Sequence, residues 1–295
     1  MMSKNFQGIY LPLMTPFHED GSLALDKLAN MMDYQINKGV AGFYVGGSSG
    51  EGFLLSEAER AEVIKVAAEV NQQRVGMIAH VGVISTDLTA QLADVAVKAG
   101  YDAISATPPF YYAFSQEEIH QHYVYLAEQC PLPLLLYNIP GTTGISFNVE
   151  QLLSLMEHPR IIGLKHTTTD MFLVEQLRQR SEDAVIFHGE DSMLSAGLFY
   201  GANGGIGSTY NIMSASYIKL YEHAQCGEMD EALKLQHQVN HVTDAILKIG
   251  LFQSLKYLMQ LRGVDYGVCR KPFLPLTKEK KQALEQLMDN NPCLN

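Results

Sequence analysis

A lysine, Lys165, closes the apolar run Ile161-Ile162-Gly163-Leu164. Lysine is almost never fully buried without a partner, and an amine carried into an apolar interior tends to lose its proton. A neutral amine is a nucleophile able to form a Schiff base with a ketone. The competing reading is a structural lysine paired with a carboxylate such as Asp191. Tyr137 closes a second apolar run, PLPLLLY. A tyrosine there can hold a substrate and shuttle a proton if its pKa is lowered, or it can be a core residue with its hydroxyl satisfied locally.

Other polar residues follow apolar runs in the same way. GGSSGEG, residues 46–52, offers free N–H groups and the hydroxyls of Ser48 and Ser49, a possible nest for a carboxylate or phosphate. A glycine-rich turn leaving a strand would look the same. Glu51 reads as a structural charge rather than a catalyst. GGIGST, residues 204–209, reads as a closely packed strand and its exit, although barrels also bind phosphate in this region. His80, His166, His188, Glu190 and Asp191 could supply metal ligands, but their spacing matches no standard metal motif.

These residues need a scaffold that brings run ends together. Eight short runs rich in β-branched or aromatic residues begin at Gly8, Gly39, Val75, Tyr101, Pro131, Ile161, Asp183 and Gly201. Between them lie helical patterns. LSEAERAEVIKVAAEV and FSQEEIHQHYVYLAEQ open with Ser56/Glu59 and Ser115/Glu118, the spacing of a capping box. Strand-helix alternation with buried strands predicts a parallel sheet covered by helices. Eight units, with no GxGxxG after the first strand, predict an α/β fold: a (β/α)8 TIM barrel over residues 1–212, with a C-terminal helical extension over 213–295 packed on it as one structural unit. Residues 291–295 are expected to fray. In such a barrel the strand ends share one mouth. By alternation, if Lys165 points into the barrel then so do Gly163 and Thr167, while His166 points toward the helices.

The totals fit an ordinary soluble globular protein. The chain has 295 residues, 47% hydrophobic and 18% charged, enough for a large core. A net charge of -11 argues against nucleic acid and against anionic membranes, but not against a small anion held locally. Cys130, Cys226, Cys269 and Cys293 are scattered, as expected of free thiols in a reducing compartment. The start, MMSKNFQGIY, has no signal-peptide apolar region, and no apolar run is long enough to cross a bilayer. A cytoplasmic location is expected.

GGSSGE after strand 2, YNIP after strand 5 and GLKHT at strand 6, in this order, resemble the pyruvate-dependent class I aldolases, the family of N-acetylneuraminate lyase and dihydrodipicolinate synthase. The resemblance covers nearly the whole chain. FYVGGSSGE, ISATPPFYYAFS, LLLYNIP, GGIGSTYNIM and CRKPF look like the lyase branch. The synthase branch normally carries an arginine shortly after YN-x-P, where this chain has Thr142 and Thr143.

The resemblance implies cleavage of N-acetylneuraminate to N-acetylmannosamine and pyruvate. Lys165 would form the iminium and Tyr137 would take the C4 hydroxyl proton. Ser48 and Ser49 would hold the substrate carboxylate. Thr167, Gly189, Asp191, Ser192 and Ser208 would contact the sugar chain, and Tyr111 would lie near the site at a subunit contact. It implies a homotetramer, no metal and no other cofactor. One residue departs from the pattern. Sialic acid lyases resemble one another in having a glutamate at the position of Ser192, and strand alternation points the adjacent Glu190 elsewhere. Losing a hydrogen bond to a charged group costs about 1.5 to 3 kcal/mol, enough to redirect specificity. The same retro-aldol reaction on another 2-keto-3-deoxy sugar acid is therefore the alternative. A metal-dependent aldolase and a sugar-acid sensor without turnover are the further readings.

Overall fold

The computed structural model describes residues 6–294. Eight parallel strands close into a barrel in chain order. They are β1 (Gly8–Leu13), β2 (Gly42–Val45), β3 (Gly76–His80), β4 (Ala103–Ala106), β5 (Leu134–Asn138), β6 (Ile161–His166), β7 (Val185–His188) and β8 (Gly204–Ile206). β8 pairs with β1, so no strand edge is left open. Each strand lies within its expected apolar run but is shorter, because the flanking glycines and polar residues belong to the turns.

Eight helices cover the barrel: α1 (Leu28–Asn37), α2 (Glu57–Asn71), α3 (Thr86–Ala99), α4 (Gln116–Gln129), α5 (Val149–Met156), α6 (Met171–Arg180), α7 (Leu194–Phe199) and α8 (Tyr210–Gln225). Both expected capping boxes form: Ser56 and Glu59 open α2, and Ser115 and Glu118 open α4. Asn148 and Gln151 make a third at α5. After the barrel come α9 (Met229–Ile249), α10 (Leu251–Leu261) and α11 (Lys278–Asn290). None of the described helices is long and apolar enough to cross a membrane.

Side-chain alternation splits the core into two layers. Ile9, Leu11, Phe43, Val45, Ile104, Leu134, Leu136 and Leu164 face the helices. Tyr10, Tyr44, Ile78, Ala103, Leu135, Tyr137, Phe187 and Ile206 fill the barrel. The interior is thus a packed floor of rings beneath the mouth, not a pore.

The expected fraying at the C-terminus does not occur through residue 294. Pro292–Leu294 form a 3-10 turn, Leu294 is fully buried, and Arg262 donates to its carbonyl. An apolar anchor and a guanidinium offset the entropy of ordering this end. Asn295 and residues 1–5 lie outside the described residues.

Candidate active site

The direction of Lys165 is set by a bulge. β5 and β6 pair Leu134 with Ile161 but Leu135 with Gly163, leaving Ile162 as the extra residue. Ile162 packs with the barrel interior, whereas Leu164, two residues on, packs with the helices. Plain alternation from Ile162 would therefore send Lys165 outward. The bulge reverses the phase and turns Lys165 inward. Gly163 makes it possible: its φ is +152°, and a Cβ there would collide with the Val185 carbonyl oxygen.

Lys165 is 4% exposed and sits above the ring floor. Its Nζ lies 4.4 Å from the centroid of Tyr44 and 4.2 Å from that of Tyr137. Tyr137 is its register partner across β5 and β6. Among the described residues Lys165 forms no ion pair, and the proposed structural partner, Asp191, spends its carboxylate elsewhere. Asp191 Oδ2 accepts from the Thr209 N–H and from Thr209 Oγ1, each at 2.7 Å. Burial raises the Asp191 carboxyl to about 6, with the Thr209 hydrogen bonds opposing the shift. Lys165 is close enough to lower it electrostatically.

The other expected residues gather around this amine. Thr167 Oγ1 is buried without a partner among the described residues. Gly189 passes so close that a Cβ would collide with Thr167 Oγ1 and lie 3.1 Å from Lys165 Cε. Ser49 Oγ is 2.6 Å from Ser208 Oγ, which joins the turn after β2 to the exit of β8. Ser48 is half-buried at the start of the Ser48–Gly50 turn. Asp191 packs against Gly207, where no Cβ would fit.

Ser192 and Glu190 form a pair that alternation did not anticipate: Ser192 Oγ donates to Glu190 Oε1 at 2.8 Å. β7 has ended at His188, and a 3-10 turn over Asp191–Met193 replaces the two-residue period. Tyr111, by contrast, is not brought to Lys165 within this chain. It is 83% exposed on the loop after β4, at φ +84°.

The three strand-end histidines are fully buried. His80 Nδ1 is 3.2 Å from the Gly46 carbonyl, and Nε2 accepts from the Thr107 N–H at 3.4 Å. Burial, then the nearby Arg60, holds its imidazole well below the ordinary histidine range. His166 faces outward as expected and bridges Asn138 to the Asp170 carbonyl. His188 lies under α7 against Gly197, and burial lowers it to about 3. No group of three or more metal-ligating side chains occurs among the described residues.

Two contributors were missed from the sequence. Tyr44 forms half of the aromatic seat under Lys165 and donates to Ser105 Oγ at 3.0 Å. It lies within an apolar run, and only its position on an inward face could have marked it. Lys256, on α10, ion-pairs with Glu51 at 2.7 Å and so braces the turn that carries Ser48 and Ser49. Chemically, the mouth combines a buried primary amine, an adjacent phenol, a polar cradle and an acidic rim.

The dihydrodipicolinate synthetase family model matches residues 5–291. The chain belongs to this family. Within it, the chain is 41% identical over 280 residues to the N-acetylneuraminate lyase of Rhizobium meliloti (strain 1021), covering 95% of this chain and 93% of that one. The solved structure of CdNal from Clostridium difficile in complex with mannosamine superposes with a TM-score of 0.96 at 34% identity, covering 98% of this chain and all of that one. An N-acetylneuraminate lyase from Fusobacterium nucleatum, complexed with pyruvate, superposes with a TM-score of 0.92 at 36% identity and 97% coverage of both chains.

Proposed function

We propose that this family member is a Schiff-base lyase that cleaves N-acetylneuraminate to N-acetylmannosamine and pyruvate. The observation that carries the reading is the buried Lys165 amine, seated on the rings of Tyr44 and Tyr137 at one barrel mouth with no carboxylate partner among the described residues. The similarity to lyases, one of them complexed with pyruvate, supports it.

Lys165 Nζ attacks the C2 ketone of the open-chain sugar acid, and loss of water gives an iminium. The substrate carboxylate lies in the Ser48–Ser49 turn, next to Ser208. Tyr137 removes the proton from the C4 hydroxyl. The C3–C4 bond breaks, its electrons pass into the iminium, and N-acetylmannosamine leaves as the aldehyde. The resulting enamine takes a proton at C3, and water releases pyruvate and the free amine. Thr167, Gly189, Asp191 and Ser192 line the path of the sugar chain.

We infer a cytoplasmic homotetramer. Tyr111, with its neighbour Tyr112, presents an exposed aromatic surface suited to a second copy of the chain.

The test is pyruvate release from N-acetylneuraminate by the purified protein, together with borohydride treatment in pyruvate. Saturable release and irreversible inactivation, with the added mass on Lys165, are expected. Lys165→Ala should abolish both. Activity lost to a chelator, with no borohydride trapping, would replace this reading with a metal-dependent aldolase.

A further inference from the structure

Resting on the lyase reading, we propose that Glu190, held by Ser192, is the specificity-determining carboxylate for the far end of the substrate's polyol chain. The hydrogen bond from Ser192 Oγ occupies Glu190 Oε1, and Oε2 has no hydrogen-bond donor among the described residues. Both side chains are half-buried, a position suited to a ligand that reaches outward.

The order of residues along the segment defines a path. Gly189 lies against Lys165 and Thr167. Asp191 follows, buried and packed against Gly207 at the exit of β8. Glu190 is near enough to Asp191 to raise its pKa. A sugar acid bound through C2 to Lys165 must therefore pass Gly189 before its last hydroxyls reach Glu190 and Ser192. A shorter keto acid such as pyruvate does not extend that far.

The segment is rigidly backed. Gln236 Nε2 donates to the Asp191 carbonyl, Asn240 Nδ2 donates to the Ser192 carbonyl, and Gln236 Oε1 accepts from the Ser195 N–H. All three bonds involve side chains of α9 and fix the backbone between the two residues and just after them. The carboxylate and hydroxyl are thus held together before a ligand arrives, which limits the ordering cost of binding. A carboxylate accepting from vicinal hydroxyls makes the stronger, charge-assisted kind of hydrogen bond. The serine at 192 does not leave the rim without a carboxylate; it fixes one supplied from two residues earlier.

The experiment compares wild type, Glu190→Gln and Ser192→Ala in two assays, cleavage of N-acetylneuraminate and the pyruvate concentration that half-saturates borohydride inactivation. Glu190→Gln should raise KM for N-acetylneuraminate roughly tenfold to a hundredfold, the loss expected for a hydrogen bond to a charged group. Its pyruvate trapping should match wild type. Ser192→Ala, which frees the carboxylate, should raise KM in the same direction but less. The proposal is overturned if Glu190→Gln leaves KM unchanged, or if it weakens trapping and cleavage equally. A wild-type protein that neither cleaves nor traps would overturn the lyase reading itself. Trapping without cleavage of this substrate would overturn the polyol-tail proposal while leaving the Schiff base intact.

Discussion

Lys256 and Glu51 meet in an ion pair of 2.7 Å, although 205 residues separate them in the chain. Both are 3% exposed. Lys256 Nζ also donates to the carbonyls of Thr15 and Val268, and the Arg270 N–H donates to the second Glu51 oxygen. Glu51 sits at φ +54°, directly after the Ser48–Gly50 turn, and Thr15 Oγ1 holds the Gly50 carbonyl. The C-terminal extension thereby braces the turn that offers Ser48 and Ser49 to a substrate carboxylate. Burial depresses the Lys256 pKa, and Glu51 works against that shift. Removing one partner of a buried pair leaves the other charge uncompensated. Lys256→Met should cost about 3–5 kcal/mol in denaturant unfolding. The double variant Glu51→Gln/Lys256→Met should recover part of that loss, since the stranded charge is then gone.

Tyr137 is the general base of the proposed cleavage, and Tyr137→Phe separates its role from that of Lys165. The ring stays, so the aromatic seat under Nζ persists. Removing a positioned acid-base group typically costs roughly 10²- to 10⁴-fold. Single-turnover cleavage should fall by that factor, while pyruvate and borohydride still label Lys165. Loss of labelling along with turnover would assign Tyr137 to iminium formation instead.

Gly163 should tolerate no side chain. A methyl group there would collide with the Val185 carbonyl across the β6–β7 pair, and the backbone at φ +152° disfavours any L-residue. Backbone strain alone is of order 1–3 kcal/mol. Gly163→Ala should lower the thermal midpoint by several degrees. It should also weaken borohydride labelling, because relaxing the bulge turns Lys165 away from the mouth. A variant with wild-type labelling would show that the amine's direction does not depend on the bulge.

The barrel and the identity of most mouth residues were legible because parallel βα units place strand ends together, so polar residues closing apolar runs converge. Lys165, Tyr137, Ser49, Asp191 and Ser208 were singled out in this way. The phase of β6 was not legible, since the extra residue at Ile162 is visible only in its pairing with β5. Glu190 was misdirected by extending strand alternation past His188, where the strand had already ended. Tyr44 was hidden among apolar neighbours, and Lys256 acts across a sequence distance that local patterns do not span. Local rules thus found the groups that end each element. They missed those whose placement depends on irregular backbone or on contacts between distant segments.

Asp191 gives the molecule a pH signature. Burial is the largest cause of its raised pKa, about 6 in the folded protein against 3.8 for the free side chain. Between these values the folded state holds more proton than the unfolded state, so stability falls as pH rises. The penalty is absent below about pH 4 and fully present above about pH 6, amounting to about 3 kcal/mol from the size of the shift. Asp191→Asn does not titrate, and its side-chain oxygen can still accept from Thr209. The thermal midpoint of wild type relative to Asp191→Asn should therefore drop as pH is raised from 4.5 to 7.5, by several degrees. At pH 7.5 the variant should be the more stable protein and the poorer enzyme, with a raised KM for N-acetylneuraminate, as expected where a site retains a charge that its fold disfavours. A midpoint difference that stays constant with pH would mean that Asp191 ionises in the folded state as it does in the unfolded chain.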